Sequence, residues 1–130
     1  PGEMARMLGA GVADVQRDRI ATVRQFATAY ETAVVLKGAS SVVGLPDGTV
    51  LLNPTGNPGM ASGGTGDVLS GVLGAFLARA LEPGTALAAA VYLHGLAGDV
   101  AAERVGQESL VASDVIEALP EAFRRVGVRD

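Results

Sequence analysis

The sequence predicts an α/β fold, and three observations carry that reading. Short apolar, β-branched runs at 33–36, 41–45 and 49–53 suit strands; longer stretches with apolar residues every three or four positions suit helices; and a glycine-rich segment, Gly59 to Gly66, leads directly into one of those helices. The 130 residues, 48% hydrophobic, are enough for one packed domain. The absence of cysteine gives no reason to expect disulfides or thiolate metal sites, and a cytoplasmic location is expected. A formal net charge of −4 argues against nucleic-acid or acidic-membrane partners, which need an excess of Lys and Arg. Uncharged runs such as Pro83 to Gly98 fall short of the ~18 to 20 apolar residues that a span requires, so no membrane segment is expected.

The elements follow in order. Glu3 to Leu8 suits a short helix, and after Gly9-Ala10-Gly11 one long helix is expected from Val12 to Tyr30, its apolar face marked by Val12, Val15, Ile20, Val23, Phe26 and Tyr30. Ala33 to Leu36 is read as a buried strand, and Ser41 to Leu45 with Thr49 to Asn53 as a hairpin around Pro46-Asp47-Gly48. A helix from Thr65 to about Leu81, a break at Glu82-Pro83-Gly84 and a long helix from Thr85 to about Val105 come next. Ser113 is expected to cap a last helix, which Pro120 should kink or restart. Arg124, Arg125 and Arg129 read as a solvated tail.

The chemistry concentrates in Asn53 to Gly71, NPTGNPGMASGGTGDVLSG. Glycines remove the side chains that would keep a backbone away from a ligand, and the first N–H groups of a helix have no partner inside it, so Gly64, Thr65 and Gly66 form an expected anion hole. Asp67 stands inside this anion site. Taken alone it is either a carboxylate stabilised by the helix dipole or an acceptor for the proton of whatever attacks a bound phosphate. The loop is neither a Walker loop, which needs Gly-Lys-Ser/Thr, nor a dinucleotide fingerprint, since Leu69 stands where the last glycine should be. Lys37, Gly38, Ala39, Ser40 and Ser41 follow a strand, at the end where open α/β sheets place ligands, though Lys37 also suits a surface charge and the serines a hairpin edge. His94, the sole histidine, has no second ligand at metal spacing and reads as a packed, hydrogen-bonded helix residue; Met60 reads as packing filler in or beside the loop.

Three segments, VVLKGAS at 34–40, TGNPGMASGGTGDVLSGVL at 55–73 and YLHGLAGD at 92–99, together resemble the ADP-dependent NAD(P)H-hydrate dehydratases of the ribokinase-like superfamily, over nearly the whole chain. The resemblance implies a three-layer α/β/α fold. Pro1-Gly2-Glu3 matches the interior of the family's His-Pro-Gly-Glu segment, so 1–130 is expected to be the C-terminal half of a domain about twice as long, with about three strands and four to five helices, its N-terminal half missing. The implied activity is dehydration of hydrated NADH or NADPH by phosphoryl transfer to the hydrate hydroxyl and then elimination. The implied cofactors are ADP or ATP with Mg²⁺. Asp67 is then the catalytic, substrate-contacting base; Gly64, Thr65 and Gly66 the anion hole; and Lys37, Gly38, Ala39, Ser40, Ser41 and Gly66 the adenine-nucleotide contacts, with no metal bound by protein ligands alone. Relatives of this kind imply a homo-oligomer, a tetramer included. A small-molecule kinase of the same superfamily, or a fragment that binds nucleotide without turnover, would share the GGTGD loop.

Overall fold

The computed structural model describes residues 1–79 and 81–127, and the chain divides into two compact units, Pro1–Asn53 and Pro54–Asp130. The class is α/β, with three antiparallel strands and six α-helices among the described residues.

The first unit holds α1 (Gly2–Leu8), α2 (Val12–Arg17), α3 (Arg19–Ala29), β1 (Val34–Leu36), β2 (Val42–Gly44) and β3 (Val50–Leu52). The single helix expected over 12–30 is two, and this raises the helix number above the four to five expected. Asp18 leaves helical geometry (φ −149°, ψ 84°) and turns its carboxylate onto the Ala21 N–H, capping α3. The apolar spacing of the sequence runs through this break, and Val15 and Val23 on either side of it share one core with Met4, Ala5, Leu36 and Val42, with Phe26 packed against it; Val12, Ile20 and Tyr30, expected on the same face, are exposed. The sheet order is β1-β2-β3, with Leu36 opposite Val42 and Val42 opposite Leu52. β2 is central and buried along its length, whereas β1, expected to be the buried strand, is an edge that buries only Leu36. The β2–β3 hairpin closes as the sequence suggests, with Asp47 Oδ1 accepting from Thr49 N–H at 2.8 Å.

The second unit consists of a 3-10 turn (Pro58–Met60), α4 (Thr65–Leu77), α5 (Pro83–Val105) and α6 (Ala112–Arg125). Helix α4 stops four residues short of the expected Leu81; Ala80 lies outside the described residues. Glu82 opens α5 by accepting from Gly84 and Thr85 N–H at 2.9 and 2.8 Å, with Pro83 in the first helical turn where its missing N–H costs nothing. By length and hydropathy α5 could cross a membrane, but it is the core helix of this unit, with twelve buried residues packed against α4 and α6. Its alanines and glycines allow close approach, and Leu93, Ala97, Val100 and Ala101 join Leu110, Val115, Ala118 and Ala122 in one core. Phe76 and Phe123 stack beside it, ring centroids 6.3 Å apart.

Two expectations for α6 are corrected. Ser113 is not its cap: the N-cap is Val111, whose N–H is served by the Asp114 carboxylate at 2.9 Å. Pro120 neither ends nor restarts the helix; it lies on the exposed side of α6, as does Ile116, whose carbonyl Pro120 cannot serve because it has no N–H. Arg124 and Arg125 are tied down rather than loose, Arg124 to Glu121 and Arg125 to both Glu121 and Glu103; Arg129 lies outside the described residues.

Candidate functional site

The second unit builds the glycine-rich loop. Gly64 is the N-cap of α4 in a left-handed conformation (φ 89°, ψ −16°) that a side chain would strain. Its carbonyl accepts from Asp67 and Val68 N–H at 3.0 and 3.1 Å. The N–H groups of Thr65 and Gly66 have no acceptor among the described residues, and they lie at the positive end of a thirteen-residue helix. Thr65 contributes its backbone only. Its buried hydroxyl points back into the loop, 2.6 Å from the Met60 carbonyl and 2.9 Å from that of Ser62, its one proton shared between them.

Asp67 is exposed at the third helical position of α4. Three helices carry aspartate at this position. Asp14 in α2 and Asp114 in α6 each reach back to the N–H of their N-cap residue, Gly11 at 3.2 Å and Val111 at 2.9 Å. Asp67 does not: its carboxylate makes no hydrogen bond or ion pair among the described residues. A negative charge therefore stands uncommitted beside open backbone donors.

Helix α5 holds the loop in place through YLHGLAGD. His94 Nε2 lies 3.0 Å from the Thr65 carbonyl, so that nitrogen carries the proton; burial pushes the imidazole below its ordinary pKa, only partly opposed by this hydrogen bond. Gly95 and Gly98 leave room for the loop: a Cβ at Gly95 would overlap the Thr55 side chain and lie 2.8 Å from its carbonyl carbon, and one at Gly98 would run into Met60. Thr55 Oγ1 donates to the Tyr92 carbonyl at 2.8 Å. Asp99 accepts from Gly56 N–H at 2.9 Å and from Asn57 Nδ2 at 3.0 Å. His94 and Met60 are thus the packing residues the sequence suggests. Asp99 is one that sequence reasoning missed, although the Gly-x-x-Gly spacing just before it marks a helix face meant for close approach.

The 37–41 loop belongs to the first unit. Lys37 is half-exposed and ion-paired with Glu3 at 3.2 Å, Ser40 adopts a positive φ of 50°, and Ser41 Oγ donates to the Gly38 carbonyl at 3.3 Å. Arg19, also missed, fixes this loop by donating to the Ala39 carbonyl at 2.5 Å and the Leu36 carbonyl at 3.2 Å. Nothing in the sequence near Arg19 signals a target 17 to 20 residues away. Among the described residues no three His, Cys, Asp or Glu side chains cluster to hold a metal ion.

Comparison with known proteins shows the family. Residues 1–121 match the carbohydrate-kinase family model described as NAD(P)H-hydrate dehydratase. The chain is 46% identical over 126 residues to the bifunctional NAD(P)H-hydrate repair enzyme Nnr of Moorella thermoacetica, covering 97% of this chain and 24% of the relative. It is 38% identical over 125 residues to the ADP-dependent (S)-NAD(P)H-hydrate dehydratase of Bacillus subtilis, covering 96% and 45%. The crystal structure of the ADP/ATP-dependent NAD(P)H-hydrate dehydratase from Bacillus subtilis co-crystallized with ATP/Mg²⁺ superposes with a TM-score of 0.92 over 96% of this chain and 45% of that one. The chain therefore spans about half the length of the single-activity relatives and about a quarter of the bifunctional ones. With the family model covering nearly all of the chain, and with its GGTGD loop and supporting α5 face folded as one, this chain belongs to the NAD(P)H-hydrate dehydratase family.

Proposed function

We propose that this chain is the C-terminal part of a ribokinase-like domain catalysing the ADP- or ATP-dependent dehydration of hydrated NADH or NADPH, and that Asp67 is its base. The single observation that carries the reading is the contrast among the three aspartates: Asp14 and Asp114 cap their helices, while Asp67, at the same helical position, has no partner for its carboxylate among the described residues, next to the N–H groups of Thr65 and Gly66, which have none there either. Gly64 is left-handed where the N-caps Gly11 and Val111 are extended, so the turn that opens the anion hole is also the one at which the aspartate makes no cap bond.

When bound, the nucleotide supplies the phosphoryl group that turns the ring hydroxyl of the hydrate into a leaving group. Asp67 takes the hydroxyl proton as that oxygen attacks phosphorus and the bond to the nucleotide's bridging oxygen breaks. Thr65 and Gly66 N–H, with the Gly64 turn, donate to the charge on the transferred group; losing one such donor typically costs on the order of 3 kcal/mol of barrier. The ring nitrogen's lone pair then expels phosphate, and loss of a proton from the neighbouring ring carbon restores the reduced nicotinamide. Lys37, Gly38, Ala39, Ser40 and Ser41 are assigned to the adenine nucleotide, as is Gly66. The Arg19 bonds that fix the 37–41 backbone support a binding role for that loop. The described residues offer no metal cage, so Mg²⁺ in this reading is carried chiefly by the nucleotide phosphates, its usual mode.

The test supplies the full-length protein with NADH hydrate, Mg²⁺ and ADP or ATP. Recovery of NADH absorbance with one phosphate released per NADH is expected. Phosphorylation of a small alcohol without any NADH recovery would instead establish the kinase reading.

A further inference from the structure

We infer that Asp99 is a positioning residue for the phosphate-binding loop, acting through Asn57; the inference rests on the dehydratase reading above. A half-buried carboxylate on α5 has no cationic partner among the described residues and directs one oxygen to Gly56 N–H and the other to Asn57 Nδ2. Asn57 passes the constraint on, since its Oδ1 accepts from Gly59 N–H at 3.1 Å and its own carbonyl accepts from Met60 N–H at 3.1 Å. Met60 in turn offers its carbonyl to Thr65 Oγ1, and Thr65 supplies the first open N–H of the anion hole. Every link from Asp99 to Thr65 is a hydrogen bond or a peptide neighbour. His94 closes the far end by donating to the Thr65 carbonyl, so α5 grips both ends of the loop and the anion hole inherits its place from two side chains on one helix.

The donor–acceptor pattern permits an exchange test. Asp99 meets two donors, and Asn57 meets one acceptor and one donor. In Asp99→Asn, whichever way the two amides are turned, one donor faces another; in Asn57→Asp two carboxylates face each other. The double exchange Asn57→Asp with Asp99→Asn restores all three bonds, because the new amide at 99 accepts from Gly56 N–H and donates to the new carboxylate at 57, whose other oxygen accepts from Gly59 N–H.

The four proteins are compared in the full-length form by amide hydrogen exchange over 55–65, by steady-state turnover of NADH hydrate and by thermal unfolding. Each single variant is expected to raise exchange in the loop by about tenfold or more and to lower kcat by roughly 10- to 100-fold, with the nucleotide KM within about threefold, the pattern of a misplaced reacting group. The double variant recovers both. A single variant that loosens the loop but keeps near-parental kcat, or a double variant no better than the singles, overturns the positioning role. Should the parent protein itself fail to turn over hydrate, the dehydratase reading falls separately. The exchange data then decide this inference: unchanged protection in both single variants overturns it, and loss restored by the double exchange supports it.

Discussion

Substituting Gly95 by alanine tests how closely the loop is laid on α5. The added Cβ would overlap Thr55 Oγ1 and stand 2.8 Å from the Thr55 carbonyl carbon and 2.9 Å from its Cβ, against an ordinary carbon–carbon contact of about 3.5 to 4 Å. The carbonyl carbon is backbone, so rotation of the Thr55 side chain cannot relieve the overlap and the segment must lift from the helix. Overpacking of this kind costs about 1–3 kcal/mol, and the hydrogen bond from Thr55 Oγ1 to the Tyr92 carbonyl, worth about 1 kcal/mol, goes with it. Alanine returns about 1 kcal/mol of helix propensity, leaving a net loss of about 1–3 kcal/mol. Gly74→Ala on α4 is the control: nothing lies within 4 Å of its Cβ position, so the same change should stabilise by about 0.5–1 kcal/mol. Urea unfolding followed by helical circular dichroism measures both. Gly95→Ala as stable as the parent would refute the close approach and, with it, the account of why YLHGLAGD has glycine at that position.

Further expectations concern His94 and Arg19. Burial holds the His94 pKa below its ordinary 6.5, so the unfolded chain takes up the proton first; the stability it contributes is complete above about pH 6.5, declines as pH falls toward the lower native value and then levels off. His94→Gln, which keeps an N–H donor for Thr65, should remove that component, seen as the difference between the two proteins' unfolding free energies across pH. Arg19→Ala removes two charge-assisted bonds to the Leu36 and Ala39 carbonyls and should cost about 1–3 kcal/mol of stability while weakening ADP binding roughly tenfold by calorimetry. Arg19→Lys should recover little, because one ammonium lacks the fork that reaches both carbonyls.

What was legible in the sequence and what was not divide along a physical line. Local signals held: the turn at Pro46-Asp47-Gly48, the break before α5 at Glu82, although Pro83 and Gly84 already belong to the helix expected from Thr85, and the glycine-led start of α4 all depend on a residue's own backbone preferences or on neighbours within one turn. The break at Asp18 was hidden because the apolar spacing continues across it, and Ser113 was passed over as a cap because Asp114, one residue later, satisfies the N-cap N–H by reaching back. Pro120 interrupts less than expected because its side of α6 is wet. The largest omissions, Asp99 and Arg19, act on loops 42 to 43 and 17 to 20 residues away, distances over which periodicity says nothing. Asp67 was visible through its motif. Only the structure shows that its carboxylate is uncommitted while Asp14 and Asp114 are engaged.

Asp67→Asn in the full-length protein tests the central claim most directly, since it keeps the size of the side chain and removes only the proton acceptor. Turnover of NADH hydrate, followed as NADH absorbance regained with ADP or ATP present, should fall by roughly 10²- to 10⁴-fold. ADP affinity should stay within a few-fold of the parent or tighten, because a negative charge beside the phosphates is gone. Near-parental turnover in the asparagine variant would contradict the account and leave Gly64, Thr65 and Gly66 as a phosphate cradle without a base.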